Sequence, residues 1–389
     1  MNSTNAPLAG MKVLEFTHVA SGPFTGQLLA DLGADVVKVE PPTGDQMRQW
    51  PPIMNDPGAS ESSYSYNFAS LNRSKRSIAL DLKNADDLET ARALACRTDV
   101  IVENYRPGVL DKLGLGFDWV SEQRTGIIYC SISGFGLSSP WVNRGAFDVV
   151  IQGMSGLMSV TGERGGQPTK SGVPFGDFVA GLYAALTISS YWRGAADSRE
   201  NVRLDVPMLD CLVATAALQT SEYWGTGQDP IALGSAHPRN APYQAFEACD
   251  GHFTIAAGND RLWERVCEAI DTPTLAMEER FATQALRASN QNELASVLTP
   301  IFKERSVAHW LDRLAEFGIP SGPVLSFSQL LEHEHARSTG LVADLPAPSI
   351  PSGKTVVYPV RTVAAGTRSM GPPPSLDGNR EEILDEWLG

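Results

Sequence analysis

The chain of 389 residues is poor in the residue patterns from which stapled and metal-built folds are made. Its five cysteines, Cys96, Cys130, Cys211, Cys249 and Cys267, are widely spaced and include no Cys-x-x-Cys pair. Neither a disulfide framework nor zinc or dithiol chemistry is expected, and a reducing compartment fits. The six histidines never fall into His-Glu-x-x-His spacing and no Gly-x-Ser-x-Gly elbow occurs, so no metal site or hydrolase triad is expected. No apolar run reaches the ~18 residues of a membrane span. The opening MNSTNAPLAGM has neither an apolar signal core nor the arginines of a transit peptide, so a cytoplasmic protein without membrane contact is expected. Basic residues are scarce beside acidic ones, 31 against 45 for a net charge of −14. Nucleic acid is therefore not an expected partner, and any anionic ligand has to meet a local basic site.

What is present is an alternation of strand and helix signals. Residues 11–16 (MKVLEF) read as a buried strand, 24–32 as a helix stopped by Gly33, and 34–40 (ADVVKVE) as a second strand. Such a βαβ unit makes its strands parallel. The pattern recurs with strands at 77–82, 100–103, 126–132 and 201–206, a helix at 85–97, and a long apolar helix at 176–192. An α/β fold with a mostly parallel sheet follows. A second apolar helix at 209–224 precedes a Gly-, Pro- and His-rich loop at 225–242. Residues 243–257 then alternate like a hairpin around CDGH, and 261–314 are largely helical, closed by PSGP at 320–323. The expected organisation is a large Rossmann-like domain beginning with 1–224, a small α+β domain at 225–325, and a proline-rich segment, 326–389, that returns to the large domain and ends in a helix at 381–388.

Several motifs carry alternative readings. Gly22, Gly26 and the acidic Glu40 suggest a dinucleotide site, but the run is SGPFTG rather than Gly-x-Gly-x-x-Gly, and Pro23 removes an amide from the turn. Turn-forming glycines are the favoured reading. Arg73, Lys75, Arg76 and Lys83 crowd NRSKRSIALDLK, while Arg106 and Lys112 follow the strand ending at Glu103. Either cluster alone could be a solubilising face; two at strand edges of one sheet point towards a phosphorylated ligand. His333 and His335 flank Glu334 on a polar helix and read as solvated surface. Asp177, preceded by Gly176, opens the long apolar helix, where the helix N-terminus should keep it ionised and nucleophilic. Its plain alternative is an N-cap.

Taken together, VLEFTHVASGPFTGQLLADLGADVVKVEPP from Val13, NRSKRSIALDLK from Asn72, VENYRPGVLDKLGLG from Val102, SISGFG from Ser131, SGVPFGDFVAG from Ser171, HPRNAPYQAF from His237 and GIPSGPV from Gly318 resemble the class III CoA-transferase family, which includes α-methylacyl-CoA racemases. The resemblance implies a Rossmann-like large domain, a smaller domain and an interlocked homodimer, with a heteromer as the alternative. It places CoA contacts on Ala20, Ser21, Leu80 to Lys83, Asn104, Tyr105, Arg106, Lys112, and Ser133, Gly134 and Phe135, and a nucleophile on Asp177. Coenzyme A and its thioesters would be substrates, with no permanently bound cofactor or metal. Acyl-CoA and a small carboxylic acid would be the partners. Many members carry a basic residue after the second strand where this chain has Pro41 and Pro42, which would leave the phosphates to Lys83, Arg106 and Lys112. The stretch LDGNREEIL also departs from the His-Thr pair of many relatives. Racemases use a histidine where this chain has Phe147, which cannot act as a base. Transferase is the favoured reading, with racemase or isomerase and a non-catalytic CoA-ester-binding subunit as alternatives. The loop from Gly234, holding His237 and Arg239, is the expected cover and acceptor contact, or else a rigid linker.

Overall fold

Six parallel strands build the sheet of the first of two units. The computed structural model describes residues 6–55, 63–192, 200–345, 353–360 and 370–389. Strands β1 (Lys12–Phe16), β2 (Asp35–Glu40), β3 (Arg76–Ala79), β4 (Val100–Glu103), β5 (Ile128–Ser133) and β6 (Val202–Pro207) pair in the order β3-β2-β1-β4-β5-β6. Every neighbouring pair is parallel, with Leu14 opposite both Val37 and Ile101. This is the doubly wound order, whose direction reverses between β1 and β4 and opens a crevice beyond the strand C-termini.

Alternation along the strands supplies the two faces. Val13, Val36, Val100, Val102 and Ile128 pack with Leu28 and Leu29 of α1 (Ser21–Asp31) and with the helix Phe175–Tyr191. Leu14, Val37, Ile78, Ile101 and Tyr129 point the other way, onto α2 (Ala85–Ala95) and the C-terminal helix Arg380–Leu388. The last helix is fixed by Trp387, whose Nε1 donates to Asp35 Oδ2 at 3.0 Å, and by Arg76, which reaches both Asp35 and Glu386. Residues 380–388 thus pack on the sheet of the first unit.

The chain divides into Met1–Leu157, Lys170–Gly225 and Ser338–Gly389 as one unit, and Met158–Thr169 with Thr226–Arg337 as the other. Two segments depart from the expected division. Residues 158–169 join the second unit, where Gly234 donates its amide to Gly162 O at 2.8 Å, and 326–337 stay with it. The expected helix at 209–224 is two helices, meeting at Ala216.

In the second unit, β7 (Tyr243–Ala248) and β8 (Gly251–Ala256) form the expected hairpin, and Ser321–Pro323, within the expected closing segment, adds a third antiparallel strand, β9. An aromatic cluster of Phe246, Phe253, Phe302 and Trp310 fills its core. Fully buried Arg287 donates to the carbonyls of Ala241, Phe281 and Gly258 and to Asp260. Among the described residues no helix is long and apolar enough to cross a membrane.

Candidate active site

The turn leaving β1 is shaped by charges that lie inside the sheet. Glu15 of β1 and Lys38 of β2 are register partners, both inaccessible to solvent. Lys38 Nζ lies 3.1 Å from Asp45 and 3.6 Å from Glu15, and donates to Thr17 O at 2.8 Å. Lys75 Nζ donates to Glu15 at 2.9 Å, Asn72 Oδ1 at 3.0 Å and Pro23 O at 2.8 Å. Burial pushes the Lys75 ammonium down to about 8 against the pull of Glu15, whereas Glu15 and Asp45 outweigh burial at Lys38 and raise it. Gly26 lets α1 cross this cluster, since a Cβ there would stand 1.9 Å from Glu15 Oε2.

Above it, Val19 adopts φ +62°, a strained conformation for a β-branched residue. Asn104, just past β4, holds this turn: its Oδ1 accepts the His18 amide at 2.9 Å and its Nδ2 donates to His18 O at 2.9 Å. Asp45 Oδ1 also accepts the Val19 amide at 3.4 Å. Ala20 then caps α1, and Ser21 begins it.

Asp177 lies in the first turn of the 17-residue helix Phe175–Tyr191, but Pro174 holds the cap position. The capping interaction instead comes from Asp148, at the start of α3 (Asp148–Met154), whose Oδ1 accepts the Gly176 amide at 2.9 Å. Gln152 of α3 braces the approach, donating to Asp148 and accepting the Ser171 amide at 2.8 Å. The long helix Phe175–Tyr191 is α4. Gly181 brings α4 against α1, for a Cβ there would lie 3.1 Å from Ser21 O. Half-buried Asp177 thereby has Ser21 of α1 as a neighbour. Its carboxyl is pushed up to about 6, first by burial and then by Asp148, against the opposing influence of Ser21. The helix N-terminus therefore does not keep it in the ordinary carboxylate range, although at neutral pH it is mostly ionised.

Beyond β2, β3 and β4 lies a pocket of about 390 Å³, lined by Val39, Glu40, Pro41, Leu80, Asp81, Leu82, Lys83, Tyr105, Val109, Lys112 and Leu113. It gathers Leu80, Lys83, Tyr105 and Lys112 of the expected contacts, with both lysines exposed. Arg106 points elsewhere, its guanidinium facing Gly145. Gly134 packs closely on Ala146, Ser133 Oγ accepts the Gly136 amide, and the Phe135 ring is buried against Trp141. Asn104 and Tyr105, consecutive in sequence, connect the Asp177 surroundings to the pocket.

The first basic cluster does not serve an anion as a group. Arg73 is paired with Asp31, Lys75 with Glu15, and Arg76 with Asp35 and Glu386; Lys83 alone of the four lines the pocket. Glu40 is likewise occupied: Arg48 binds it through two nitrogens at 2.6 and 2.7 Å, and Ser77 donates at 2.6 Å. Together with Lys38 they outweigh burial and hold its carboxyl down at about 2. This leaves no dinucleotide ribose role for Glu40.

His237 and Arg239 belong to the second unit, on the loop before β7. The His237 ring faces Tyr243, and its Nδ1 accepts the Arg239 amide at 3.1 Å. Burial, then Arg239, lowers its pKa. Phe147, at the position of the racemase histidine, is 74% exposed. His333 and His335 are exposed, as expected. Among the described residues no cluster of three or more His, Cys, Asp or Glu side chains is arranged to hold a metal ion. The sequence reading missed Asp148, the pocket wall at Val39, Pro41, Val109 and Leu113, and the buried Glu15–Lys38–Lys75 cluster. Only the last left a signal, charged residues inside the otherwise apolar MKVLEF and ADVVKVE.

The sequence profile of CoA-transferase family III matches residues 8–380. The chain is 34% identical over 391 residues to a succinate–glutarate CoA-transferase of Agrobacterium fabrum, covering 99% of this chain and 97% of that one. It is 34% identical to a succinyl-CoA:mesaconate CoA-transferase of Haloarcula hispanica, covering 97% and 96%. The crystal structure of a CAIB/BAIF family protein from Brucella suis superposes with a TM-score of 0.88 at 34% identity, covering 98% of this chain and 100% of that one. With the parallel sheet and a full-length match in hand, the chain belongs to CoA-transferase family III and is a CoA-transferase.

Proposed function

We propose that the enzyme moves CoA from succinyl-CoA to a second dicarboxylic acid, with Asp177 as the nucleophile. The observation that carries this reading is a half-buried carboxylate in the first turn of α4, next to Ser21 of α1 and released from capping duty by Asp148. Asp177 attacks the donor thioester, expelling CoA thiolate and leaving a mixed anhydride. The thiolate attacks the aspartyl carbonyl, giving aspartyl-CoA and releasing succinate. The acceptor carboxylate then displaces CoA thiolate to form a second anhydride, and the thiolate attacks the acceptor's carbonyl, releasing its CoA ester and restoring the aspartate. Water has to be excluded, because hydrolysis would destroy each anhydride. The choice of dicarboxylates rests on the relatives' names. His237 and Arg239 are the proposed partners of the acceptor's distal carboxylate, Arg239 through a charge-assisted hydrogen bond. A racemase reading draws no support from Phe147. The test is to incubate the enzyme with succinyl-CoA and a panel of free acids and read the CoA esters by mass spectrometry; a reaction with no exchanged ester overturns the reading.

The 390 Å³ pocket is the proposed seat of the nucleotide end of CoA, with Lys83 and Lys112 for its phosphates. Lys112→Ala is expected to raise KM for the acyl-CoA about five- to ten-fold with little change in kcat, as loss of one charge-assisted phosphate contact would. An unchanged KM would place the phosphates elsewhere.

The oligomer we propose is a homodimer, interlocked as in the family. It is supported by Leu182, Tyr183, Leu186 and Tyr191 along α4 and by Leu218, Tyr223 and Trp224, with Leu186 64% and Trp224 78% exposed in the single chain. Large exposed apolar patches mark interaction surfaces. Light scattering at micromolar concentration should give the mass of two chains; one chain's mass would refute the dimer. The cytoplasm remains the proposed location.

A further inference from the structure

The approach to α4 is held by a side chain that solvent does not reach. Gln152 of α3 is 0% exposed, and the two ends of its amide face different partners. A backbone amide can only donate, so the Gln152 atom that receives the Ser171 N–H at 2.8 Å is the side-chain oxygen. The nitrogen is thereby turned the other way, donating to Asp148 Oδ2 at 2.8 Å and more weakly to Val173 O at 3.4 Å. Asp148 passes the constraint on, because its other oxygen accepts the Gly176 amide at 2.9 Å. Gly176 permits this close approach: a Cβ there would stand 3.2 Å from Asp148 Oδ1 and 3.1 Å from Ile151 Cγ2. One glutamine and one aspartate thus grip the chain on both sides of Pro174, at 171–173 before the helix and at Gly176 inside its first turn. Asp177 is the next residue.

We propose that Gln152 is a positioning residue for the transfer, acting through Asp148 to fix the first turn of α4 so that the Asp177 carboxylate meets the donor thioester in an attacking geometry. The proposal rests on the reading of Asp177 as nucleophile. An attacking group has to be held closely, since displacing it by about 1 Å can cost on the order of a hundred-fold in rate. Residue Pro174 at the cap position supplies no side-chain bond, so the grip on this turn comes from α3. Lys83 and Lys112 stand on other elements, so holding the acyl-CoA does not depend on it. The bonds are directional, and they have one inverse. An asparagine at position 148 can still accept the Gly176 amide, but it turns its own NH2 towards that of Gln152. Gln152 cannot turn over in response without setting its nitrogen against the Ser171 amide. A glutamate at position 152 facing an asparagine at 148 exchanges donor and acceptor, accepts from both Ser171 and the asparagine, and leaves the net charge unchanged. The weak Val173 contact is then the one bond lost.

The test separates kcat from KM for succinyl-CoA in the exchange reaction. It is run at about pH 8.5, well above the Asp177 value of about 6, so that ionisation does not enter the comparison. Asp148→Asn should lower kcat about thirty-fold while KM stays within about two-fold, as a misplaced but intact nucleophile requires. Gln152→Met keeps the volume without the hydrogen bonds and should do the same; it leaves the Asp148 charge in place, so its loss is not electrostatic. Asp148→Asn combined with Gln152→Glu should recover kcat to within about three-fold of wild type, the non-additivity expected of two side chains bonded to each other. Thermal unfolding checks that each variant is folded at the assay temperature. Should Gln152→Met not fold, Asp148→Asn and the double variant decide the matter between them. An unchanged kcat in Asp148→Asn refutes the proposal, because the bonds would then serve stability alone. A loss that the double variant does not recover refutes it as well. An Asp177→Asn enzyme that still exchanges CoA overturns the nucleophile and the role of Gln152 together; an inactive one beside an unimpaired Asp148→Asn overturns the role of Gln152 alone.

Discussion

Asp177→Asn is expected to lose CoA exchange by at least about a thousand-fold and, at the same time, to melt at a higher temperature than wild type at pH 8. The first effect follows because an amide cannot form the anhydride. The second follows from the direction of the pKa shift. Burial and Asp148 lift the carboxyl from its ordinary 3.8 to about 6 in the folded chain. The folded state therefore holds the proton more tightly than the unfolded one, and stability falls as pH rises between about 4 and 6. Above that window the ionised carboxylate costs on the order of 2 kcal/mol, after discounting for its partial exposure to solvent. Asparagine avoids this cost. The gain in melting temperature should be present at pH 8 and absent at pH 4, which thermal unfolding at the two pH values will measure. A lower melting temperature at pH 8 would mean that Asp177 stabilises the helix end after all, against the assignment of capping to Asp148.

Lys38→Met should have the largest effect on stability, about 3–5 kcal/mol, the range found when one partner of a buried ion pair is removed. Lys38 has no solvent exposure and is shared by Asp45 at 3.1 Å and Glu15 at 3.6 Å. Glu15 would keep Lys75, but Asp45 would be left buried without its cation. The Thr17 carbonyl would also lose its donor at the start of the turn that carries Ser21. Denaturant unfolding of the purified variant gives the loss directly, and a change below 1 kcal/mol would show that the network is not the support of this turn.

What the sequence shows well is what local pattern controls. The strand at 100–103 is found at Val100–Glu103, and the β1 and β2 limits fall within one residue of those expected, because buried parallel strands form mostly apolar runs between turn residues. Asp177 was legible through its place beside Gly176 at the head of an apolar helix. The fate of the basic cluster was not. Lys75 meets Glu15 across 60 residues and Arg76 meets Glu386 across 310, and nothing in NRSKRSIALDLK distinguishes these paired side chains from Lys83, which lines the pocket. The role of Asp148 was hidden for the same reason: its bond to the Gly176 amide spans 28 residues and depends on how α3 meets α4. The assignment of residues 158–169 to the second unit also rests on a long-range bond, from Gly234 to Gly162. Local spacing reveals which side chains can carry charge, but tertiary pairing decides which of them stay available to a ligand.

The central claim is that the acyl group passes through Asp177, and hydroxylamine trapping addresses it most directly. Wild-type enzyme given succinyl-CoA without an acceptor acid should, on addition of hydroxylamine, yield a hydroxamate on the peptide that contains Asp177, located by mass spectrometry. A hydroxamate on Asp148 or on another carboxylate, or no labelled peptide while the enzyme still turns over, would contradict the account.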